Sequence, residues 1–97
     1  MLHILTRSPF QSSSLAQCAA LAMENDAVLL TQDAVLAILG QNEAVETLIQ
    51  RGVKIYLLTP DLLARGLTPV SQSDLQCVDY KGFVGLTVTH ETQMKWD

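Results

Sequence analysis

Three short apolar runs, at residues 2–6, 27–31 and 53–58, are separated by segments whose apolar residues recur at helical spacing. This alternation is the pattern of parallel β/α/β units, and right-handed crossovers then place helices on both faces of the sheet. The first run stops at Arg7-Ser8-Pro9. The stretch 11–14 offers hydroxyl N-caps for a helix over 15–24, which Asn25-Asp26 ends. The run at 27–31 has no polar alternation, so both of its faces are expected to be covered. Asp33 can cap a short helix over 34–39, and Asn42 a second one after Gly40. In that second helix Ala44, Val45, Leu48 and Ile49 share a stripe, and Arg51-Gly52 supplies a C-terminal cation and a left-handed cap.

Residues 53–58 form the clearest strand. Thr59-Pro60-Asp61 then provides a hydroxyl cap, a proline at the first helical position and a carboxylate at the positive end of a short helix that stops at Arg65-Gly66. Residues 75–78 read as another strand, with 67–70 as an optional one. Asp79 caps a last helix in which Tyr80, Phe83, Val84 and Thr87 share a face, weakened by Gly82 and Gly85. The segment 90–97 reads as a tail carrying Trp96. The expected architecture is a single α/β domain over residues 1–97, a three-layer sandwich with a mostly parallel sheet of four to five strands.

Composition bears on what such a domain does. Of 97 residues, 48% are hydrophobic and 16% charged, against about 25% charged in ordinary soluble domains. A small chain has more surface per residue than a large one, so a deficit of charge points to another protein covering part of that surface. The alternative is a small domain whose free surface is simply poor in charge. The first helix localises the argument: Leu15, Cys18, Ala19 and Ala22 form one stripe, yet Ala16, Ala20 and Leu21 fill most of the remaining circumference. A helix apolar nearly all round is buried on more than one side.

Net charge is −4, and the six cations, Arg7, Arg51, Lys54, Arg65, Lys81 and Lys95, stand singly, which argues against direct nucleic-acid binding. No run of about 18 apolar residues exists, so no transmembrane helix is expected. The opening apolar run is too short for a signal-peptide core, and a cytoplasmic location follows.

Cys18 and Cys77 are too far apart in sequence, and too isolated, for a metal-ligand pattern, and no metal or cofactor site is expected. Neither a G-x-G-x-x-G nor a phosphate-loop motif is present. Cys18 reads either as a small buried hydrophobe or as a sulfur-carrying thiol, and Cys77 as a strand-interior residue. His3 lies within the first strand. His90, near the end of the chain, reads as solvated surface, with base or interface contact as the alternative. Ser8 and Asp33 sit beyond strand carboxyl ends, where ligands bind in parallel sheets, and could serve an independent small-ligand binding module.

Read in order, Met1-Leu2-His3, Arg7-Ser8-Pro9-Phe10, Gln32-Asp33, Leu62-Leu63-Ala64-Arg65-Gly66-Leu67, Val78-Asp79-Tyr80 and the closing His90, Gln93 and Trp96 resemble the TusB/DsrH family of sulfur-relay subunits from end to end. The resemblance implies a Rossmann-like subunit joined to TusC/DsrF-like and TusD/DsrE-like partners in a heterohexamer. That complex passes persulfide sulfur to a TusE/DsrC-like acceptor, for 2-thiolation of the tRNA wobble uridine in the Tus branch or dissimilatory sulfur oxidation in the Dsr branch. It further implies that the principal sulfur-carrying cysteine belongs to a partner, so that this chain mainly serves assembly and is not catalytic alone. Ser14-Leu15-Ala16-Gln17-Cys18 matches the context of a cysteine found in DsrH-type members, which makes Cys18 a candidate secondary persulfide site. Where many relatives read Asp-Gly, this chain reads Asp33-Ala34, and alanine gives up the easy access to positive φ.

Overall fold

A computed structural model describes residues 1–69 and 74–96. Five strands form one sheet in the order β4-β3-β2-β1-β5, and every neighbouring pair is parallel. They are β1 (Leu2–Leu5), β2 (Ala27–Leu30), β3 (Lys54–Leu58), β4 (Leu75–Val78) and β5 (Gln93–Trp96). The helices between them are α1 (Ser14–Leu21), α2 (Glu43–Gln50), α3 (Thr59–Ala64) and α4 (Tyr80–Thr89), with a 3₁₀ segment at Gln32–Ile38. Of the optional strand at 67–70, residues 67–69 are irregular and Val70 lies outside the described residues.

The two faces of the sheet are covered unequally. Leu5, Val28, Leu30, Ile55 and Leu57 point to one face, where Leu15 and Cys18 of α1, Val45 and Leu48 of α2, Leu62 of α3 and Val35 of the 3₁₀ segment close over them. The opposite face carries Leu2, Ala27 and Leu29, with Ile4, Tyr56 and Val78 of the strands and Phe83 and Leu86 of α4 packed against them. Right-handed crossovers explain the asymmetry. The chain steps in one direction from β1 to β4, which puts the intervening helices on one side. Only the return to β5 runs the other way and puts α4 on the other side. The central β2 is buried along its whole length, as its unbroken apolar run requires.

Two caps stand where the sequence places them. Asn42 Oδ1 accepts from the N–H groups of Ala44 and Val45 at 2.9 and 3.2 Å, and Asp79 Oδ1 accepts from Gly82 N–H at 2.8 Å. Gly52 follows α2 with a φ of +78°, the left-handed cap.

Other details depart from the sequence reading. Helix α1 ends at Leu21, three residues early. It has no basic residue in its last turn, and its orphan carbonyls are met from a distance. Arg51 Nη1 donates to the carbonyls of Ala19 and Ala20 at 2.7 and 3.3 Å, and to that of Ala22 just past the end at 3.4 Å. Helix α3 begins at Thr59 itself, with Leu58 at the cap and no side-chain capping bond. Asp33 lies inside the 3₁₀ segment and does not cap it. The tail contains β5, an edge strand whose polar–apolar alternation (Gln93, Met94, Lys95, Trp96) hides it among surface residues.

The two glycines of α4 have opposite reasons to be there. A Cβ at Gly82 would lie 2.8 Å from Val78 Cβ, so glycine lets α4 start close against β4, whereas a Cβ at Gly85 meets nothing. Gly85→Ala should stabilise the domain by up to about 1 kcal/mol through helix propensity. Gly82→Ala should destabilise it by roughly 1–3 kcal/mol through overpacking. Urea unfolding of the two variants checks the sign of each.

Candidate functional site

Cys18 sits in the middle of α1 and is fully buried under the larger core, among the residues that join α1 to the sheet. Burial pushes its thiol up to about 12, and the Asp26 carboxylate acts in the same direction. At pH 7 a thiol of that kind is ionised in only about one molecule in 10⁵. Sulfur transfer needs thiolate and access to it, and in this conformation Cys18 has neither. The position five residues past the helix cap, Ser13, does not help, since the favourable end of the helix dipole fades within the first turn. Cys77 is partly buried on β4 and packs against the same core.

His3 is also buried, and both of its ring nitrogens are engaged. Trp96 Nε1–H donates to Nδ1 at 3.1 Å. An indole nitrogen can only donate, so the partners assign the His3 proton to Nε2, which points at Asp26 Oδ2 at 3.0 Å. A histidine held this way has no lone pair left for a substrate proton. It ties β1 to β5 and to the turn before β2.

Asp26 is the hub of that turn. Burial alone would raise its carboxyl. The N–H of Met23, the His3 ring and the amino group at Met1, each 3.0 Å away, together outweigh burial and bring it down to about 2.

Of the strand-end residues, Ser8 is buried with its Oγ accepting from Phe10 N–H at 3.1 Å, a local turn that stabilises the exit from β1. Asp33 is held by Arg65, with Nη2 at 2.9 Å and Nε at 3.0 Å from the same carboxylate oxygen. Ser8 and Asp33 do line one hollow at this edge of the sheet, and Cys18 is not part of it. His90 follows α4 on the far side, in a separate hollow with Asp26 and Tyr56. Among the described residues no cluster of His, Cys, Asp or Glu could hold a metal ion, and no helix is long and apolar enough to cross a membrane.

Sequence reasoning missed the Trp96–His3–Asp26 chain, which spans 93 residues between its first two members. The signal was available only as three polar or amphipathic groups beside apolar runs.

Two outcomes follow. Cys18 should resist a small maleimide in the folded chain and react at the rate of unfolding, as peptide mass spectrometry after timed quenching would record. The stability that Asp26 contributes should be fully present above about pH 4, its unfolded value, and be lost as pH falls toward 2. Asp26→Asn should therefore flatten that acid limb. At pH 7 it should cost roughly 1 kcal/mol once screening at this partly exposed site is allowed for, as urea denaturation at pH 7 and pH 3 would measure.

Comparison with known proteins gives this geometry its context. The family model described as DsrH like protein matches residues 7–93. Protein TusB of Escherichia coli (strain K12 / DH10B) is 44% identical over 96 residues, covering 99% of this chain and all of that protein. Protein TusB of Escherichia coli O81 (strain ED1a) matches to the same extent. Among solved structures, the YchN protein of E. coli superposes with a TM-score of 0.79 at 19% identity, over 98% of this chain and 97% of that one. Protein Tm0979 of Thermotoga maritima does so with a TM-score of 0.63 at 22% identity, over 95% and 97%. At those identities the two structures support the fold alone. The family model and the full-length identity settle the lineage: this chain belongs to the DsrH-like family and is a homologue of TusB.

Proposed function

We propose that this chain works as the TusB-type subunit of a sulfur-relay system for tRNA thiolation, and that its main contribution is to assembly. The observation that carries the reading is the 44% identity to Protein TusB along the whole of both chains.

The surface supports the assembly role. On α1, Leu21 is 64% exposed and Ala16 and Ala20 are exposed too; Phe10, ahead of the helix, and Met23, just after it, are 68% and 74% exposed. On the other side of the sheet, Tyr80, Val84 and Val88 recur every fourth residue along the outer face of α4, and all three are exposed. These are the uncovered apolar surfaces that the shortage of charge anticipates.

The partners in this reading are TusC/DsrF-like and TusD/DsrE-like subunits in a heterohexamer, with a TusE/DsrC-like protein receiving sulfur destined for the wobble uridine, all in the cytoplasm. Cys18 serves as a secondary persulfide site only in a state where α1 has lifted from the sheet. Its burial and its raised thiol value favour assembly over carriage.

Co-purification of the chain from its native source should bring down two α/β subunits of similar size. Leu21→Asp or Val84→Asp should abolish that recovery while leaving the circular-dichroism spectrum and thermal midpoint of the isolated chain within a few degrees of wild type. A stable monomer that never binds such partners would sink the assembly role. Cys18→Ser should leave tRNA thiolation near wild type, and a severe loss with the complex intact would make Cys18 a carrier.

A further inference from the structure

Separate from the assembly role, the carboxyl edge of the sheet holds a polar hollow that neither α1 nor α4 fills. Its volume is about 670 Å³, and Arg7, Ser8, Ser12, Gln32 and Lys95 are among the residues lining it. It opens beside the ends of β1 and β5, where the strand order reverses, the crevice in which open parallel sheets bind ligands. A second hollow of about 320 Å³ adjoins it on the α4 side and shares Thr6, Gln32 and Lys95.

The charge here runs against the rest of the chain. The protein carries −4 overall with only six Lys and Arg, yet three of those six, Arg7, Arg65 and Lys95, stand at this edge. The nearby carboxylates are already engaged. Arg65 binds Asp33 at 2.9 Å and approaches Asp61 at 4.0 Å, while Asp61 also accepts from Gln32 N–H at 2.7 Å. Arg7 and Lys95 are exposed and make no ion pair or hydrogen bond among the described residues. Two free cations thus face one hollow with hydroxyl and amide donors between them.

The backbone adds a second sign. Gln32, on the wall common to both hollows, has a φ of +49°, and it is the one non-glycine residue with positive φ among the described residues. The Asp61 carboxylate bonded to its N–H helps to hold it in that conformation. Left-handed non-glycine residues cost free energy and concentrate where a ligand is clamped.

We propose that this hollow binds a multiply charged oxyanion, a phosphate- or sulfate-type group on a small molecule, between Arg7 and Lys95. Separate cations with intervening hydroxyl and amide donors suit a tetrahedral group with several acceptor oxygens, which takes charge-assisted bonds from different directions. A planar carboxylate would call for a single guanidinium fork instead, and the fork at this edge, Arg65, is committed to Asp33.

The test is an amide-shift titration of the full chain with inorganic phosphate and, separately, pyrophosphate at constant ionic strength. Saturable shifts confined to Arg7, Ser8, Gln32 and Lys95 are expected, with pyrophosphate the tighter of the two. Arg7→Gln and Lys95→Gln should each weaken binding about tenfold, and Lys54→Gln on the opposite strand end should leave it unchanged. Absence of saturation, or equal weakening by Lys54→Gln, would overturn the site. Binding of a short RNA with no response to either small anion would overturn the ligand class. Each of these results is independent of whether the chain recovers its partner subunits.

Discussion

A parallel sheet has to be covered on both faces, because strands joined by crossovers cannot leave one side as a clean polar surface. Among the described residues four short α-helices are there to do it, and the strand order commits all but one of them to the same side. The larger core is therefore complete, with Leu5, Val28, Leu30, Ile55 and Leu57 sealed beneath α1, α2 and α3. The smaller core has three buried residues, rimmed by half-buried Ile4, Tyr56 and Val78 and by Phe83 and Leu86 of α4. Gly82 narrows the gap by letting α4 begin against Val78, but α4 buries no residue completely. The exposed apolar stripe on its back, and the shortage of charge across the whole chain, follow from the same geometric limit. Within the DsrH-like family that limit is a reason for a subunit to live in company.

The same division separates what the sequence disclosed from what it concealed. Signals that act within one turn were legible: Asn42, Asp79 and Gly52 do at the helix ends what their chemistry dictates. So were the strands whose apolar runs lie in the middle of the sheet. Signals that act across the fold were not. The end of α1 is set by Arg51, about thirty residues away, so local spacing let the helix run on to residue 24. Thr59 has the composition of a cap but continues β3 directly into α3, leaving the cap position to Leu58. Strand β5 looked like a tail because its polar–apolar alternation lasts only four residues, three of them exposed, and its lysine stays in water.

The candidate site divides in a similar way. The strand-end residues Ser8 and Asp33 were visible as positions, since parallel topology alone points to that edge, and both line the hollow found there. Lys95 could not be added without knowing that β5 exists and lies beside β1. Cys18 was visible as a motif, but its environment was not. A thiol at the fifth residue of a helix gives no indication from sequence spacing alone of how tightly the neighbouring layers close over it, and here they close fully. His3 is the converse case, a residue of catalytic type whose two nitrogens are spent on structure.

The indole bond that occupies one of those nitrogens has a further consequence. Trp96 is the one tryptophan in the chain, and its partner is 93 residues away. Contacts of such long sequence separation carry the greatest loop-closure cost and tend to come late in folding. Trp96 also packs against the larger core, so the emission of that single ring follows the seating of edge strand β5 on it. The molecule carries its own optical gauge of whether its sheet has closed.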